Sequence, residues 1–136
     1  MLQEQNERDS MFGKFPVLMY SFTQFICDDC IQAELDALKN LQNEIGKERI
    51  LVLPIYDDTR NNRIKLLNML QRFNYKTIQT DGFKTLTNCN EMELKRFFAF
   101  INKEGTISMI FLPESSNPQL TQNYFSEIKK KLKNAE

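Results

Sequence analysis

Residues 17–38 have the sequence VLMYSFTQFICDDCIQAELDAL, and this stretch decides the fold. The segment 15–22 is almost continuously apolar and rich in aromatic and branched side chains, which is typical of a strand covered on both faces. After Cys30, apolar residues at spacings of three and four predict an amphipathic helix that ends near Gly46. These residues are Ile31, Leu35, Leu38, Leu41 and Ile45. The stretch therefore predicts a buried strand followed by a helix.

A second strand and a second helix are predicted after Gly46. Residues 50–56, ILVLPIY, are again mostly apolar, and Pro54 is expected to mark the end of this strand because proline has no amide for a ladder. Residues 60–73 predict a helix whose repeat carries Ile64, Leu67, Leu70 and Gln71. The order is strand, helix, strand, helix. Because the helix between the two strands can form a crossover connection, we expect these strands to be parallel in one sheet.

The C-terminal part of the chain predicts a hairpin and a last helix. Residues 97–102 and 106–112 are apolar and flank a short loop in which Gly105 can adopt a positive φ, so an antiparallel hairpin is expected. Helix is the alternative for the first arm, because good helix formers precede it. After Pro118, apolar residues recurring about every four positions predict the last helix. They are Leu120, Tyr124, Phe125, Ile128 and Leu132.

These elements together predict an α/β fold with a central mixed β-sheet, in the order β-α-β-α-β-β-α, flanked by helices. Residues 1–14 are predicted to be a polar lead-in, and residues 15–136 a single domain, because 136 residues leave little room for a second one. Residues 75–96 show no clear period, and no element is predicted there.

The composition excludes several classes of function. Eighteen basic residues balance eighteen acidic ones, which removes the electrostatic reason to expect a nucleic-acid partner. The chain has no histidine, which excludes mechanisms that need imidazole as base, proton shuttle or metal ligand. No apolar run approaches the ~20 residues of a membrane-spanning helix, so we expect no membrane insertion of the chain as given. The first ten residues also lack the layout of a secretory signal.

Cys27-Asp28-Asp29-Cys30 is the motif that carries chemistry. Cysteines at this spacing, where a buried strand meets a helix, can face the same point and close a small disulfide ring. The first turn of a helix stabilises a thiolate, so Cys27, the more exposed cysteine, is expected to attack as nucleophile. Cys30, one turn further in, is expected to resolve the mixed disulfide. The third cysteine, Cys89, stands alone.

The order of these segments resembles the thioredoxin superfamily. The likeness covers roughly residues 15–132 and is carried by strand, Cys-x-x-Cys and helix in 17–38, then the strand ILVLPIYDD, the hairpin FFAFINKEGTISMIFL and the closing helix YFSEIKKKLK. It is nearest to the extracytoplasmic thiol-disulfide oxidoreductases related to cytochrome-maturation reductants and peroxiredoxins. The resemblance implies a thioredoxin-like fold, a redox-active disulfide, no cofactor, a protein or small-molecule thiol or disulfide as partner, and export.

The residues around the dithiol differ from the usual pattern of that superfamily. Ile26 replaces the aromatic residue usually found before the first cysteine, and 95–97 lack the cis-proline usually found before the hairpin. The predicted substrate-facing residues are Phe25, Ile26, Arg96 and Phe97. Asp28 and Asp29 are predicted to tune the dithiol, because a carboxylate beside a thiolate disfavours the charged form and favours the disulfide, a reducing poise.

Three functions remain open from the sequence. The first is a thiol-disulfide oxidoreductase acting through Cys27 and Cys30. The second is a thioredoxin-fold module without turnover, which keeps an inert disulfide or uses the surface beside Cys27 for binding. The third and least favoured is a zinc site formed by the three cysteines, which needs a carboxylate such as Asp57 as fourth ligand. Cytoplasmic and exported locations also both remain open.

Overall fold

The computed structural model describes residues 16–77 and 96–134. Four strands and three α-helices follow one another in these ranges in the predicted order β-α-β-α-β-β-α. Their bounds are β1 Val17–Thr23, α1 Asp28–Ile45, β2 Ile50–Ile55, α2 Arg60–Leu70, β3 Arg96–Ile101, β4 Ile107–Phe111 and α3 Pro118–Asn134. A short 3-10 turn, Lys47–Arg49, leads from α1 into β2. The predicted α/β class and element order are confirmed.

The four strands form one mixed sheet in the order β2-β1-β3-β4. β1 is parallel to β2 and antiparallel to β3, and β3 is antiparallel to β4. β1 is therefore an interior strand, and all seven of its residues are buried. The carboxyl end of β1, where α1 begins, thus lies next to the carboxyl end of β2 and the first residue of β3.

The two faces of the sheet bury different residues, as the two-residue period of a strand requires. Leu18, Tyr20 and Phe22 point to the face on which the three helices pack. Val17 and Met19 belong to a second apolar cluster on the opposite face. Because both faces are covered, β1 needs an almost continuous apolar sequence, and its exceptions are Ser21 and Thr23.

Pro54 lies inside β2 rather than at its end, so the predicted strand end is wrong by one residue. The reason is the direction of the backbone amides. The N–H of Val52 points away from β1 and donates to the carbonyl of Asn74 at 2.9 Å. The nitrogen of Pro54, two residues later, points to the same side. A proline there removes no hydrogen bond from the β1 ladder, so the strand continues to Ile55.

The turns that glycine was predicted to make are confirmed. Gly46 follows α1 with φ of 101°, and its N–H donates to the carbonyl of Gln42 at 2.8 Å. Gly105 closes the β3–β4 hairpin with φ of 81°. The hairpin also contains a bulge opposite Phe98–Phe100, where Met109 has φ of 52° and its carbonyl accepts from the Tyr124 hydroxyl at 2.8 Å.

Two predicted helix faces are partly wrong. On α2, Ile64 is 48% and Leu67 is 58% exposed, while Leu66 and Leu70 are buried. The apolar residues of α2 fit two stripes, and the helix packs through the one that continues to Phe73, which is also buried. On α3 the predicted Leu120 is exposed because it lies in the first turn, ahead of the buried residues of the stripe. Those residues are Tyr124, Phe125, Ile128 and Leu132.

Some predictions fall outside the described residues. These are the polar lead-in 1–14, the first residue of the predicted strand at position 15, and Cys89. Of the segment without a predicted element, residues 75–77 and Arg96 are described. Tyr75 forms a parallel bridge with Val52 at the outer edge of β2. Among the described helices, none combines the length and the apolarity that crossing a membrane requires.

Candidate functional site

Cys27 and Cys30 are joined by a disulfide at the beginning of α1. Cys27 is the N-cap of the helix, and its Sγ accepts the backbone N–H of Cys30 at 3.2 Å. The Cα atoms are 5.4 Å apart, a separation that a disulfide spans without distorting the backbone. Cys27 is exposed and Cys30 is half-buried. The sulfur of Cys27 is therefore accessible to another thiol or disulfide, and the sulfur of Cys30 lies just behind it.

The loop that presents Cys27 is fixed to the end of β2. The Gln24 N–H donates to the carbonyl of Ile55 at 3.3 Å. The side chain of Gln24 accepts from the Asp57 N–H at 3.0 Å and donates to the Asp57 carboxylate at 2.9 Å. The Ile26 N–H returns to the carbonyl of Thr23 at 3.3 Å, which turns the chain from strand to helix. These bonds hold the disulfide at the carboxyl ends of the parallel strands.

The two aspartates between the cysteines have different neighbours. The carboxylate of Asp28 lies 2.8 Å from the ammonium of Lys65 on α2. Asp29 instead lines a groove on the other side of α1. Lys65 partly offsets the charge of Asp28, although both side chains are exposed and water screens the pair. Asp29 is thus the aspartate whose charge is not offset by an ion pair in the described part of the chain.

A groove of about 290 Å³ lies beside Cys30, between α1 and the start of α3. Its apolar surface comes from Ala33, Ala37 and Pro118, and its polar surface includes Glu114 and Ser115 from the loop after β4. The short alanine side chains on α1 leave the space that the groove occupies. Any molecule in this groove lies next to the disulfide.

A buried ion pair lies behind the groove. Glu34, one turn after Cys30 on α1, is buried, and its two carboxylate oxygens are 2.9 and 3.0 Å from Nε of Arg96. The hydroxyl of Tyr20 donates to the same carboxylate at 2.6 Å. Burial raises the pKa of Glu34, against the hydrogen bond from Tyr20 and the positive charge of Arg96. Burial and the Glu34 carboxylate also raise the pKa of Tyr20, so its hydroxyl remains a donor.

Arg96 connects this pair to the loop that forms one wall of the groove. While its Nε faces Glu34, its Nη2 donates to the carbonyl of Pro113 at 3.3 Å and to the hydroxyl of Ser115 at 3.1 Å. One guanidinium thus joins α1, the start of β3 and the loop after β4. The planar fork of donors in arginine suits such multiple contacts, and lysine does not offer it.

Tyr56, directly after β2, is also buried, but it differs from Tyr20 in the surroundings of its hydroxyl. Its hydroxyl has no hydrogen-bond partner. Burial, followed by the negative charge of Asp28, raises the pKa of Tyr56 to about 12. Its ring packs edge-on against Phe22 at a centroid distance of 5.9 Å. Tyr56 therefore contributes its ring to the core near the first turn of α1, and its hydroxyl is unsatisfied.

Known protein structures share this architecture. No family model matches the chain, and no curated protein matches it. One similar structure is that of a proposed thiol-disulfide oxidoreductase from Bacteroides vulgatus, with TM-score 0.57 and 16% identity, covering 90% of this chain and 78% of that one. Another is an exposed lipoprotein thioredoxin from Streptococcus pneumoniae, with TM-score 0.53 and 16% identity over 86% of this chain and 87% of that one.

A third similar structure is a secreted disulfide oxidoreductase from Mycobacterium tuberculosis that is homologous to DsbE of E. coli. It has TM-score 0.53 and 16% identity, over 86% of this chain and 84% of that one. The fold is thioredoxin-like. The predicted fold is confirmed, and the Cys27–Cys30 disulfide lies at the beginning of α1 in this fold.

The thioredoxin-like framework places the predicted substrate-facing residues in different surroundings. Phe25 is 64% exposed in the loop before Cys27, whereas Ile26 is half-buried and packs on the core. The side chain of Arg96 is turned inward to Glu34. Phe97 is 5% exposed and belongs to the cluster on the sheet face opposite the helices. Phe25 is thus the accessible member of this set, and contact of any of the four with a substrate stays a prediction.

Sequence reasoning missed Glu34, Lys65 and Glu114. Glu34 had a usable signal, because it falls on the apolar stripe of α1, three residues after Ile31 and four before Leu38. A charged residue on a buried helix face needs a partner, so this position predicts a buried cation nearby. Nothing local indicated that the partner is Arg96, since that pairing depends on how β3 lies beside β1. Lys65 and Glu114 likewise reach the site through the packing of distant segments.

The described residues do not favour the zinc alternative. Within 16–77 and 96–134, no three His, Cys, Asp or Glu side chains come together as metal ligands. Cys27 and Cys30 are bonded to each other, and the Asp57 carboxylate accepts a hydrogen bond from Gln24 at 2.9 Å. Cys89, the third ligand of that hypothesis, lies outside the described residues.

Proposed function

We propose that the protein is a thiol-disulfide oxidoreductase in which Cys27 is the nucleophile and Cys30 the resolving cysteine. One observation carries this proposal: an exposed Cys27 and a half-buried Cys30 share a disulfide at the N-terminus of α1. In the reduced protein, the Cys30 N–H that now reaches the Cys27 sulfur can donate to a thiolate there. The helix dipole favours the same charged form.

The reaction transfers two electrons from the dithiol to a substrate disulfide. The Cys27 thiolate attacks one substrate sulfur, forms a mixed disulfide and releases the other sulfur as a thiolate, which takes up a proton. Cys30 then loses its proton and attacks the Cys27 sulfur, which releases the second substrate thiol and restores the Cys27–Cys30 disulfide. A dithiol reductant must reduce this disulfide before the next cycle.

A trapping experiment tests the assignment of roles. In Cys30→Ser, the mixed disulfide with substrate cannot be resolved, so we expect a covalent adduct on Cys27 that mass spectrometry detects and a reductant removes. Cys27→Ser is the matched control and should form no adduct on Cys30. Both variants should also carry Cys89→Ser, so that the third thiol does not contribute. Equal adduct formation by the two variants would contradict the proposed roles.

We further propose that the dithiol has a reducing poise. Asp29, whose charge is not offset by an ion pair with another described residue, disfavours a thiolate at the motif, and a less stable reduced form makes the disulfide comparatively stable. The ion pair with Lys65 weakens the same effect from Asp28. A reduction potential above about −150 mV, near the oxidase end of the known range, would contradict the reducing poise.

The reducing poise also predicts which redox form of the protein, oxidised or reduced, is more stable against unfolding. Closing a ring of this length lowers the entropy of the unfolded chain by an amount worth about 2 kcal/mol. We therefore expect the oxidised protein to unfold at higher urea concentration than the reduced protein. A strong oxidant has the reverse order, because its reduced form is the stabilised one. Urea unfolding with and without a reductant measures this directly.

The second candidate is a thioredoxin-fold module without turnover. It is favoured by Ile26 in place of an aromatic residue and by the absence of proline from 95–97. The trapping experiment separates the two candidates, because an inert disulfide gives no adduct with Cys30→Ser. A protein disulfide is the proposed partner of the active form. Similarity to structures described as an exposed lipoprotein and a secreted enzyme supports a location outside the cytoplasm, as does the disulfide itself.

A further inference from the structure

The groove beside Cys30 combines apolar walls with acidic edges. Ala33, Ala37 and Pro118 contribute the apolar surface, while Asp29 and Glu114 contribute exposed carboxylates. Neither carboxylate forms an ion pair with another described residue. The third acid of the lining, Glu34, is neutralised by Arg96. The groove therefore has a net negative charge of about two next to the disulfide.

The volume limits what the groove can hold. At about 290 Å³ it lies just below the range of roughly 300–1,000 Å³ that is usual for small-molecule pockets. It is large enough to accept one long side chain. Lysine and arginine combine an apolar stem with a charged head, so their stems match the alanine and proline walls and their heads match the carboxylates. An acidic side chain would be repelled by Asp29 and Glu114.

We propose that this groove is a subsite for a lysine or arginine side chain that lies close in sequence to the reactive cysteine of a protein substrate. Cys30 forms part of the groove lining, and a chain advances at most about 3.3–3.6 Å per residue, so the basic residue lies within a few positions of the cysteine that Cys27 attacks. The inference rests on the proposed oxidoreductase function and adds a substrate preference to it.

Peptide disulfides that differ in one charge test the subsite. The peptides share one internal disulfide and differ only two positions from a cysteine, where they carry Lys, Gln or Glu. We expect the reduced protein to act on the Lys peptide with about fivefold higher kcat/KM than on the Gln peptide at low salt, and least well on the Glu peptide. The Lys preference should largely disappear at about 0.5 M salt, where screening acts within a few ångströms.

Glu114→Gln removes one groove charge without altering the motif between the cysteines. We expect the ratio of Lys to Gln peptide to fall from about fivefold to about twofold in this variant. Glu104→Gln, at the exposed tip of the β3–β4 hairpin, is the matched control and should keep the wild-type ratio. A merely structural effect of Glu114→Gln would lower kcat/KM for all peptides by the same factor, and that result would overturn the subsite.

The experiment separates failure of the subsite from failure of the proposed function. Equal kcat/KM values for the Lys, Gln and Glu peptides in the wild-type protein would overturn the subsite and leave the oxidoreductase intact. Absence of turnover with every peptide, together with no adduct on Cys27 in the Cys30→Ser variant, would overturn the function on which the subsite rests.

Discussion

The two sides of the disulfide are constructed differently. On the Cys30 side, the groove is supported by a cluster in which the buried Glu34 carboxylate accepts from the Tyr20 hydroxyl and from the half-buried Arg96 guanidinium. On the Cys27 side, the neighbours are an exposed Phe25, an exposed ion pair between Asp28 and Lys65, and the unpartnered hydroxyl of Tyr56.

This difference separates stability from reactivity. A buried charge tolerates no loss of its partner, whereas an exposed pair contributes little to stability and still changes the local potential. Substitutions in the Tyr20, Glu34 and Arg96 cluster should therefore act mainly on folding, and substitution of the exposed Asp28–Lys65 pair mainly on the chemistry of the dithiol.

Arg96→Met should have the largest effect. It leaves the Glu34 carboxylate buried without its cation and removes the contacts to Pro113 and Ser115, so we expect a loss of about 3 kcal/mol in the free energy of unfolding at pH 7. The double variant Glu34→Gln with Arg96→Met removes the orphaned charge and should recover much of the loss. Urea unfolding of both variants measures the difference, and equal losses would contradict a buried ion pair.

Arg96→Met should also make the free energy of unfolding depend on pH. Burial raises the pKa of Glu34 in the folded protein, so the folded state binds its proton more tightly than the unfolded state does. Stability is then greatest below the unfolded pKa and decreases as the pH rises through the folded pKa. Arg96 lowers the pKa of Glu34, so this pKa is higher in the folded Arg96→Met variant. The pH range over which stability decreases therefore extends further upward in the variant. The penalty of Arg96→Met should shrink when unfolding is measured near pH 4, and a penalty that does not change with pH would argue against this origin.

Tyr20→Phe should have an intermediate effect. Glu34 keeps Arg96 but loses the hydroxyl that donates to it at 2.6 Å. A hydrogen bond to a charged group contributes about 1.5–3 kcal/mol, and the lower end is expected here because the cation remains. The ring stacks on Phe98 at a centroid distance of 4.5 Å, and phenylalanine preserves that contact. A loss below about 0.5 kcal/mol in urea unfolding would show that the cluster does not need Tyr20.

The apolar pattern of single segments predicted most of the fold. β1 is almost continuously apolar because side chains on both of its faces are buried, and α1 shows one apolar stripe, so each could be recognised without knowing its neighbours. The buried face of α2 was predicted wrongly because its apolar residues fit two stripes. Only the sheet against which α2 packs decides that Leu66, and not Ile64, is buried.

The candidate site could be predicted in its chemistry but not in its surroundings. The spacing of Cys27 and Cys30 and their position at the start of a helix were enough to predict the disulfide. The partners of the site come from segments far away in sequence: Arg96 from β3, Lys65 from α2 and Glu114 from the loop after β4. Such pairs depend on the register of strands and the packing of helices, which local spacing does not encode.

Tyr56→Phe should have a small effect of the opposite sign. A buried hydroxyl without a partner costs desolvation, so removing it should leave the free energy of unfolding unchanged or raise it by up to about 1 kcal/mol. The phenylalanine ring preserves the edge-on contact with Phe22. Compared with Tyr20→Phe, this substitution deletes the same atom from an equally buried ring. A loss as large as that of Tyr20→Phe would show that the hydroxyl of Tyr56 is bonded in solution.

Lys65→Met should have the smallest effect on stability and a visible effect on reactivity. The ion pair with Asp28 is exposed, so the loss in the free energy of unfolding should stay within about 0.5 kcal/mol. The charge of Asp28, no longer offset, disfavours a thiolate at Cys27, so alkylation of the reduced protein at neutral pH should become about twofold slower. Asp28→Asn combined with Lys65→Met should restore the rate, because both charges of the ion pair are then removed and Asp29 acts on Cys27 as it does in the wild-type protein. If alkylation stays at the wild-type rate in Lys65→Met while stability falls by more than 1 kcal/mol, the Cys27 side is as tightly built as the Cys30 side.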